Sequence, residues 1–276
     1  MSRVIRYTPH ETTFVKALIC EISFRETCAL MARSPLVIDP VFLPKGLHDI
    51  GQANMLARLQ EQVDAVNPEH YSHTLLVYGL CNNGIVGLRA TRTPLVVPRA
   101  HDCITFFLGS KERYQEYFDS HPGTYFMTTG WSERNIVDPE QELPSQVQCV
   151  VGDSVMRQLG LDGTFEEYVQ KYGEENAKYI TEMAGNWLKN YCRCTYIRMG
   201  ITNEAPYEEA ARQSASDRGW QFEQVDGSMR LLQKFLFGEW DDSEFLVVPV
   251  GHRIVARYDG SIIGSSPDGQ AQHGAA

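Results

Sequence analysis

Residues 74–84 read TLLVYGLCNNG, and residues 94–103 read PLVVPRAHDC. Each segment begins with an apolar run typical of a buried strand and passes directly into a polar turn that contains a cysteine. Amphipathic stretches with helical spacing, such as residues 52–66, alternate with further apolar runs along the chain. This alternation predicts an α/β fold with a largely parallel sheet.

The same two patterns continue in both directions from these segments. Further strands are predicted at 13–22, 35–42, 123–128, 196–201, 221–225 and 245–250. Further helices are predicted at 110–121, 207–218 and 229–237. Thr164 and Glu167 have the spacing of a capping box, which predicts that a long helix begins there and runs toward Tyr191.

A polar stretch at 132–148 separates these elements into two groups. We therefore predict two Rossmann-like three-layer lobes, with mostly parallel sheets and an inter-lobe crevice. The amino-terminal lobe is assigned to residues 12–150, and the carboxyl-terminal lobe, which begins with the long helix, to residues 151–264. The small and polar residues 265–276 are predicted to form a flexible tail.

The composition excludes several classes of partner. The 276 residues include 25 Lys and Arg against 35 Asp and Glu, a formal charge of −10. Clusters of Lys and Arg that would neutralise phosphates are missing, so we predict no nucleic acid and no membrane as partner. The sequence shows no long apolar run and no signal-peptide pattern, which predicts a cytoplasmic protein. Its seven irregularly spaced cysteines are then expected to be reduced thiols.

Cysteines stand where the predicted strands end. Cys81 follows the strand at 74–78, and His101 and Cys103 follow the strand at 94–97. Cys20 stands near the end of the first predicted strand. The functional crevice of an open α/β sheet lies outside the carboxyl ends of its strands, so we expect these side chains at one edge.

Thiols and an imidazole are ligands that zinc prefers. A catalytic zinc site supplies three protein ligands and leaves a fourth position open. Cys81, His101 and Cys103 make such a set, with Cys20 as a further candidate, and iron or another transition metal is an alternative to zinc. Free cysteines are also among the most frequently buried residues, so simple packing of these thiols is the competing interpretation.

Residues next to the cysteines are candidates for supporting roles. Glu21 and Asp102 are expected to orient the imidazole from outside the ligand set. Arg99, which is always charged, is expected to hold an anionic group of a small-molecule substrate. The other residues predicted to shape the pocket are Tyr78, Asn82, Asn83, Gly84 and Trp131, with core packing as the alternative for Tyr78 and Trp131. Neither GxGxxG nor a Walker A pattern occurs, so no nucleotide cofactor is expected.

The segments at 78–81 and 98–103 resemble domain-of-unknown-function family 1638. The likeness is strongest over residues 74–131, where Leu108-Gly109-Ser110 and the PGTY of residues 122–125 belong to it. That family typically has Cys-Gly-Asn-Gly where this chain has CNNG at 81–84. Its members are often encoded beside corrinoid-dependent methyltransferases, so the resemblance implies a role in one-carbon metabolism.

Three functions are compatible with these features. The first is a metal-dependent enzyme, with zinc as the expected metal, that transfers a methyl group to a thiol or similar acceptor, with a corrinoid protein or methyltransferase as partner. The second is a non-catalytic metal-binding accessory protein of such a system. The third is a metal-independent racemase-like enzyme in which two cysteines act as acid and base, which requires that Arg99 or His101 lower a thiol pKa.

Overall fold

A computed structural model describes residues 13–81, 83–134, 165–179 and 190–269. The protein has a mixed α/β fold, and its two larger sheets are mostly parallel. The strands are β1 Phe14–Cys20, β2 Val37–Leu43, β3 His73–Val77, β4 Leu95–Pro98, β5 Thr124–Met127, β6 Arg193–Arg198, β7 Gln221–Asp226, β8 Phe245–Val248, β9 His252–Ala256 and β10 Ile263–Pro267.

Helices connect most of these strands. They are α1 Phe24–Met31, α2 Gln52–Asp64, α3 Cys103–Leu108, α4 Lys111–Ser120, α5 Thr129–Glu133, α6 Phe165–Tyr172, α7 Ala205–Asp217 and α8 Arg230–Leu236. Short 3-10 helices occupy Glu21–Ser23 and Lys45–Ile50. No helix among the described residues is long and apolar enough to cross a membrane.

The five-stranded sheet has the order β2-β1-β3-β4-β8. The strands β1 to β4 pair in parallel, and β8 closes one edge in the antiparallel direction. The interior strands β3 and β4 are buried almost throughout, which explains why they are continuously apolar rather than alternating. Val15, Val77, Val96, Phe106 and Phe235 belong to the core that packs against this sheet.

The three-stranded sheet has the order β5-β6-β7 and is parallel throughout. Its core contains Tyr125, Met127, Cys194 and Tyr196, which lie two residues apart within β5 and within β6 and therefore share a face. Strands β9 and β10 form a separate antiparallel pair.

The chain divides into two compact units. One contains the described residues of the segments 1–44, 52–114 and 228–276, and the other contains those of 45–51 and 115–227. The five-stranded sheet and the β9–β10 pair belong to the first unit, and the three-stranded sheet belongs to the second.

Two strands lie in a different sheet from the one that the sequence analysis suggested. The strand at 245–250 was grouped with the carboxyl-terminal elements, but β8 pairs with β4. The strand at 123–128 was grouped with the amino-terminal elements, but β5 pairs with β6. All of these strands are short apolar runs, and such runs do not specify which strand they pair with. Assignment to a sheet by proximity along the chain is therefore wrong for β5 and β8.

Other predictions fall partly outside the described residues. The lobe boundary at 150/151, most of the polar stretch at 132–148, and Thr164 lie outside them. The long predicted helix is described as α6 and as helical residues 174–179, which are separated at Gly173, where φ is +82°. The first three residues of the predicted flexible tail lie in β10, paired with β9, and residues 270–276 are not described.

Candidate functional site

Three cysteines lie at the carboxyl edge of the five-stranded sheet. β1 ends at Cys20, β3 leads through Tyr78 to Cys81, and β4 leads to Cys103, the first residue of α3. The three strands are neighbours in the sheet. The thiols of Cys81 and Cys103 interact electrostatically with each other and with that of Cys20. We call Cys20, Cys81 and Cys103 the thiol cluster.

Backbone contacts hold the two cysteine-bearing turns together. The amide of Leu80 donates to the carbonyl of Ala100 at 2.8 Å, and the amide of Cys81 donates to the carbonyl of His101 at 2.9 Å. At Gly79 a Cβ atom would lie only 2.7 Å from the Cα of Asp102, so a side chain at this position is excluded. The turns can approach this closely because residue 79 is glycine.

The backbone of Cys81 is itself unusual. Its φ is +46°, in the left-handed region that residues other than glycine rarely adopt. Such conformations cost free energy and are concentrated at functional sites. The position of the Cys81 thiol is therefore held by its surroundings against a local preference.

Burial raises the pKa values of the Cys81 and Cys103 thiols, and the negative charge of Asp102 raises them further. Burial likewise raises the pKa of Asp102, although hydrogen bonds from Tyr114 and from the Ile104 amide oppose this effect. The thiols are thus protonated at neutral pH. The racemase hypothesis needs a thiol whose pKa is lowered, so these surroundings do not favour it.

His101 does not join the thiol cluster as the sequence suggested. Its side chain is exposed, and its ring stacks on Tyr114 with 5.8 Å between the ring centroids. Within the described ranges, no three His, Cys, Asp or Glu side chains form a group that could hold a metal ion. The predicted set of Cys81, His101 and Cys103 is therefore not assembled as a ligand group.

Asp102 caps helix α3. One of its carboxylate oxygens accepts from the amide of Ile104 at 2.9 Å, and the other accepts from the hydroxyl of Tyr114 at 3.0 Å. A carboxylate at this position satisfies an amide that the first turn of a helix leaves unpaired. These contacts position the start of α3, and with it Cys103, rather than the imidazole of His101.

A family model described as Protein of unknown function (DUF1638) matches residues 42–236, more than half of the chain. The chain belongs to the DUF1638 family. No curated protein and no solved structure matches it. Cys81 and Cys103 of this DUF1638 protein lie inside the matched region, and Cys20 precedes it.

The Leu108-Gly109-Ser110 motif of this DUF1638 protein has a local structural role. Gly109 ends α3 with a φ of +86°, and a Cβ atom there would lie 2.5 Å from the Cβ of Ser228. The hydroxyl of Ser110 accepts from the amide of Arg113 at 3.1 Å, and so pairs an amide in the first turn of α4 that has no partner within the helix. A surface pocket of about 390 Å³ lies beside the motif. The motif is thus explained by the turn between two helices.

The guanidinium of Arg99 in the DUF1638 protein forms an ion pair and hydrogen bonds with other residues of the fold. It is 8% exposed, and it forms an ion pair with Asp242 at 3.0 Å. The same group donates to the carbonyls of Asp242, Ser261 and Ile263. These contacts tie the end of β4 to the loops next to β8 and β10, so they account for Arg99 without a substrate anion.

The other predicted pocket residues have different surroundings. Asn82 is outside the described residues, and Asn83 is exposed with a φ of +66°. A Cβ atom at Gly84 would collide with the sulfur of Met55 on α2, so glycine is required there by packing. Trp131 belongs to the other compact unit, where the Lys45 ammonium lies 4.4 Å from the centre of its ring.

Tyr78 and Glu21 do lie beside the thiol cluster. The hydroxyl of Tyr78 is close to Cys20 and Cys81, and the Glu21 carboxylate also interacts with it electrostatically. The sequence analysis missed two residues of this region, Gly79 and Tyr114. A glycine directly after a buried strand signals a close backbone approach, whereas nothing in the sequence pairs Tyr114 with Asp102.

Proposed function

We propose that this DUF1638 protein is a metal-dependent enzyme of one-carbon metabolism that transfers a methyl group, with zinc held by the thiol cluster. The observation that supports the proposal is the convergence of Cys20, Cys81 and Cys103 from three adjacent strand ends. The two-lobe, Rossmann-like arrangement expected from the sequence is part of the proposal.

The donor set has the chemistry of a soft-metal site. Thiolate sulfur is the preferred ligand of Zn²⁺ in many proteins, and three protein ligands leave a fourth position for a substrate. Cys20 takes the place that the sequence analysis gave to His101. Since the described residues contain no ready-made metal group, the proposal requires that the three sulfur atoms move together when an ion binds.

The surroundings of the thiols agree with a role for a cation. Burial and the Asp102 carboxylate raise the pKa values of the Cys81 and Cys103 thiols, so these two groups do not ionise by themselves at neutral pH. A divalent cation would compensate the charge of the thiolates, which is the usual coupling between metal binding and thiol ionisation. Metal binding would thus explain why the Cys81 and Cys103 thiols lie beside a carboxylate that disfavours their ionisation.

A bound zinc ion would lower the pKa of an acceptor thiol. In the transfer that we propose, the acceptor loses its S–H proton to solvent and forms an S–C bond with the methyl group. The Co–C bond of a methyl-corrinoid donor breaks, and its electron pair stays on cobalt. The residues of this chain hold the cysteines in place: Asp102 caps the helix that begins at Cys103, and Gly79 allows the two turns to pack.

Elemental analysis of the purified, untagged protein tests the metal. We expect about one zinc per chain, and its loss in Cys20→Ser, Cys81→Ser and Cys103→Ser. Cys28→Ser, on α1, and Cys192→Ser, which is exposed, are matched controls that should keep the metal. A folded wild-type protein without metal after incubation with zinc would contradict the proposal.

A methyl-transfer assay tests the reaction. The zinc-loaded protein is incubated with free methylcobalamin and a panel of small thiols, and loss of the methylcobalamin spectrum is followed together with thioether formation. We expect a rate that the Cys81→Ser variant lacks. Stoichiometric zinc without turnover, also in the presence of a methylated corrinoid protein, would instead support the accessory metal-binding function.

A further inference from the structure

A surface pocket lies at the end of α3 that is remote from Cys103. Its volume is about 390 Å³, which is within the range of sites for small molecules. Its walls come from the end of α3, the start of α4 and the residues that lead into α8. All of these residues belong to the first compact unit, so the pocket lies within one unit of the chain.

Two arginines line this pocket, and contacts with the backbone hold both guanidinium groups in place. Arg113 donates to the carbonyl of Leu108 at 3.1 Å, and Arg230 donates to the carbonyl of Gly109 at 3.3 Å. Side chains that are already positioned lose less conformational entropy when a ligand binds. The two positive charges are therefore set beside the pocket before any ligand arrives.

Two serine hydroxyls line the same pocket and have O–H groups to donate. The oxygen of Ser110 accepts from the amide of Arg113 at 3.1 Å. The oxygen of Ser228 accepts from the amide of Arg230 at 3.3 Å. In the part of the chain that the structure describes, neither hydroxyl donates to an acceptor of the protein. Each O–H is thus a donor that a ligand in the pocket can use.

The pocket carries more positive than negative charge. Arg113 and Arg230 stand against the single carboxylate of Glu112, although the whole chain has a formal charge of −10. Glu244 pairs with Arg230, but the side chain of Glu244 is only 10% exposed, whereas that of Arg230 is 53% exposed and stays accessible. A local excess of positive charge in an acidic protein favours an anionic small molecule.

We propose that this pocket binds the phosphate group of a small phosphorylated molecule. A phosphate monoester has three terminal oxygens and a charge of about −1.5 to −2 near neutral pH, so it can accept from both serine hydroxyls and from the guanidinium groups together. A carboxylate has fewer oxygens and less charge, and it therefore matches this set of donors less well. The site is separate from the thiol cluster, and the inference goes beyond the proposed function.

Isothermal titration calorimetry with glycerol 3-phosphate tests the site, and glycerate and glycerol are the matched probes. We expect glycerol 3-phosphate to bind, glycerate to bind more weakly, and glycerol not to bind. Ser228→Ala should weaken the binding of glycerol 3-phosphate about tenfold, because a hydrogen bond to a charged oxygen is lost. Thr128→Ala, which removes a helix-capping hydroxyl of the other unit, is the matched control and should leave the affinity unchanged.

Glu112→Gln gives a result that a folding defect cannot imitate. Removal of this carboxylate from the pocket should raise the affinity for glycerol 3-phosphate about twofold to fivefold, because its repulsion of the phosphate is lost. Glu116→Gln, on the same helix but outside the pocket, changes the net charge equally and should raise the affinity less.

Two results would overturn the phosphate site. One is an affinity for glycerol 3-phosphate that neither Ser228→Ala nor Glu112→Gln changes, since binding would then occur elsewhere on the protein. The other is a wild-type protein that binds no glycerol 3-phosphate, or that binds glycerate more tightly. Neither result bears on metal binding by the thiol cluster, so the two proposals fail separately.

Discussion

Tyr78 and Tyr196 are buried tyrosines in two different parallel sheets, and their hydroxyl groups are in opposite states. Tyr196, in β6, donates to Glu204 and receives a hydrogen bond from Thr129 at 2.8 Å. The hydroxyl of Tyr78, just after β3, lies beside the Cys20 and Cys81 sulfur atoms and has no partner at normal hydrogen-bond geometry among the described residues. The satisfied hydroxyl stabilises the fold, whereas a buried hydroxyl without a well-placed partner costs free energy that the surrounding packing must offset.

Removal of the Glu204 carboxylate should have the largest effect on the free energy of unfolding, because it breaks the hydrogen-bond network around the Tyr196 hydroxyl. This side chain is 6% exposed and accepts from the amides of Met199 and Gly200 as well as from Tyr196. Glu204→Leu would remove the acceptor of the buried Tyr196 hydroxyl and of the amides of half-buried Met199 and exposed Gly200, and we expect a loss of about 3 kcal/mol in the free energy of unfolding. Urea denaturation measures it. Because this network belongs to the other unit, the zinc content of the folded variant should not change. A loss of zinc in the folded variant would contradict the independence of the two regions.

Gly79→Ala should affect the thiol-bearing edge itself. The added Cβ would collide with the backbone of Asp102, so we expect a destabilisation of about 2–3 kcal/mol and a reduced zinc content. Gly260→Ala, where a Cβ meets nothing within 4 Å, is the matched control and should change neither quantity. Equal stability of the two variants would show that the turns at 78–81 and 100–103 do not need their close packing.

Arg99→Gln separates a structural arginine from a substrate-binding one. Its guanidinium has only acceptors of the fold as partners in the contacts described above, so we expect a loss of about 2 kcal/mol with unchanged zinc content and an unchanged KM in the methyl-transfer assay. A raised KM without loss of stability would restore the anion-binding role that the sequence suggested.

The smallest expected effect on stability concerns the ion pairs of the Glu244 carboxylate with Arg230 and Lys234. Burial alone would raise the pKa of Glu244, but hydrogen bonds from Arg230, at 2.6 Å, and from Lys234 outweigh burial and hold it below its ordinary value of 4.5. A lowered carboxyl pKa stabilises the fold above that ordinary value, and the contribution is lost as the pH falls through the lower, folded-state pKa. Wild type should therefore exceed Glu244→Gln in stability by about 1 kcal/mol near neutral pH, with the difference vanishing in acid. A constant difference in urea denaturation across that range would contradict this assignment.

Much of the secondary structure was predictable, because apolar periodicity is local. The strand at 74–78 and the helix at 110–121 differ from β3 and α4 by about one residue at each end. The pairing partners of the strands were less predictable, because β5 and β8 have only four residues each and are too apolar to specify a sheet. The helix α3 was missed since its six residues, CITFFL, are apolar without helical periodicity.

The placement of Cys20, Cys81 and Cys103 was predictable for the same local reason, since each stands at or shortly after the end of a strand of one sheet. The orientation of His101 was not. It depends on α3: Asp102 caps that helix and Tyr114 holds the cap, which leaves the imidazole exposed against the tyrosine ring. Recognition of Asp102 as the residue before a helix would have assigned its carboxylate to the amide of Ile104 instead of to the imidazole.

The pairing of β4 with β8 has a consequence for synthesis of the protein. About half of the chain lies between these two strands, and the whole three-stranded sheet is encoded within that interval. While the ribosome makes this part, β4 presents an unpaired apolar edge, which is a hazard for misassociation. The thiol-bearing edge therefore reaches its final environment only after residue 248 has emerged, although all three of its cysteines are made within the first 103 residues. The order of translation therefore delays completion of the sheet well beyond the synthesis of the thiols that stand at its carboxyl edge.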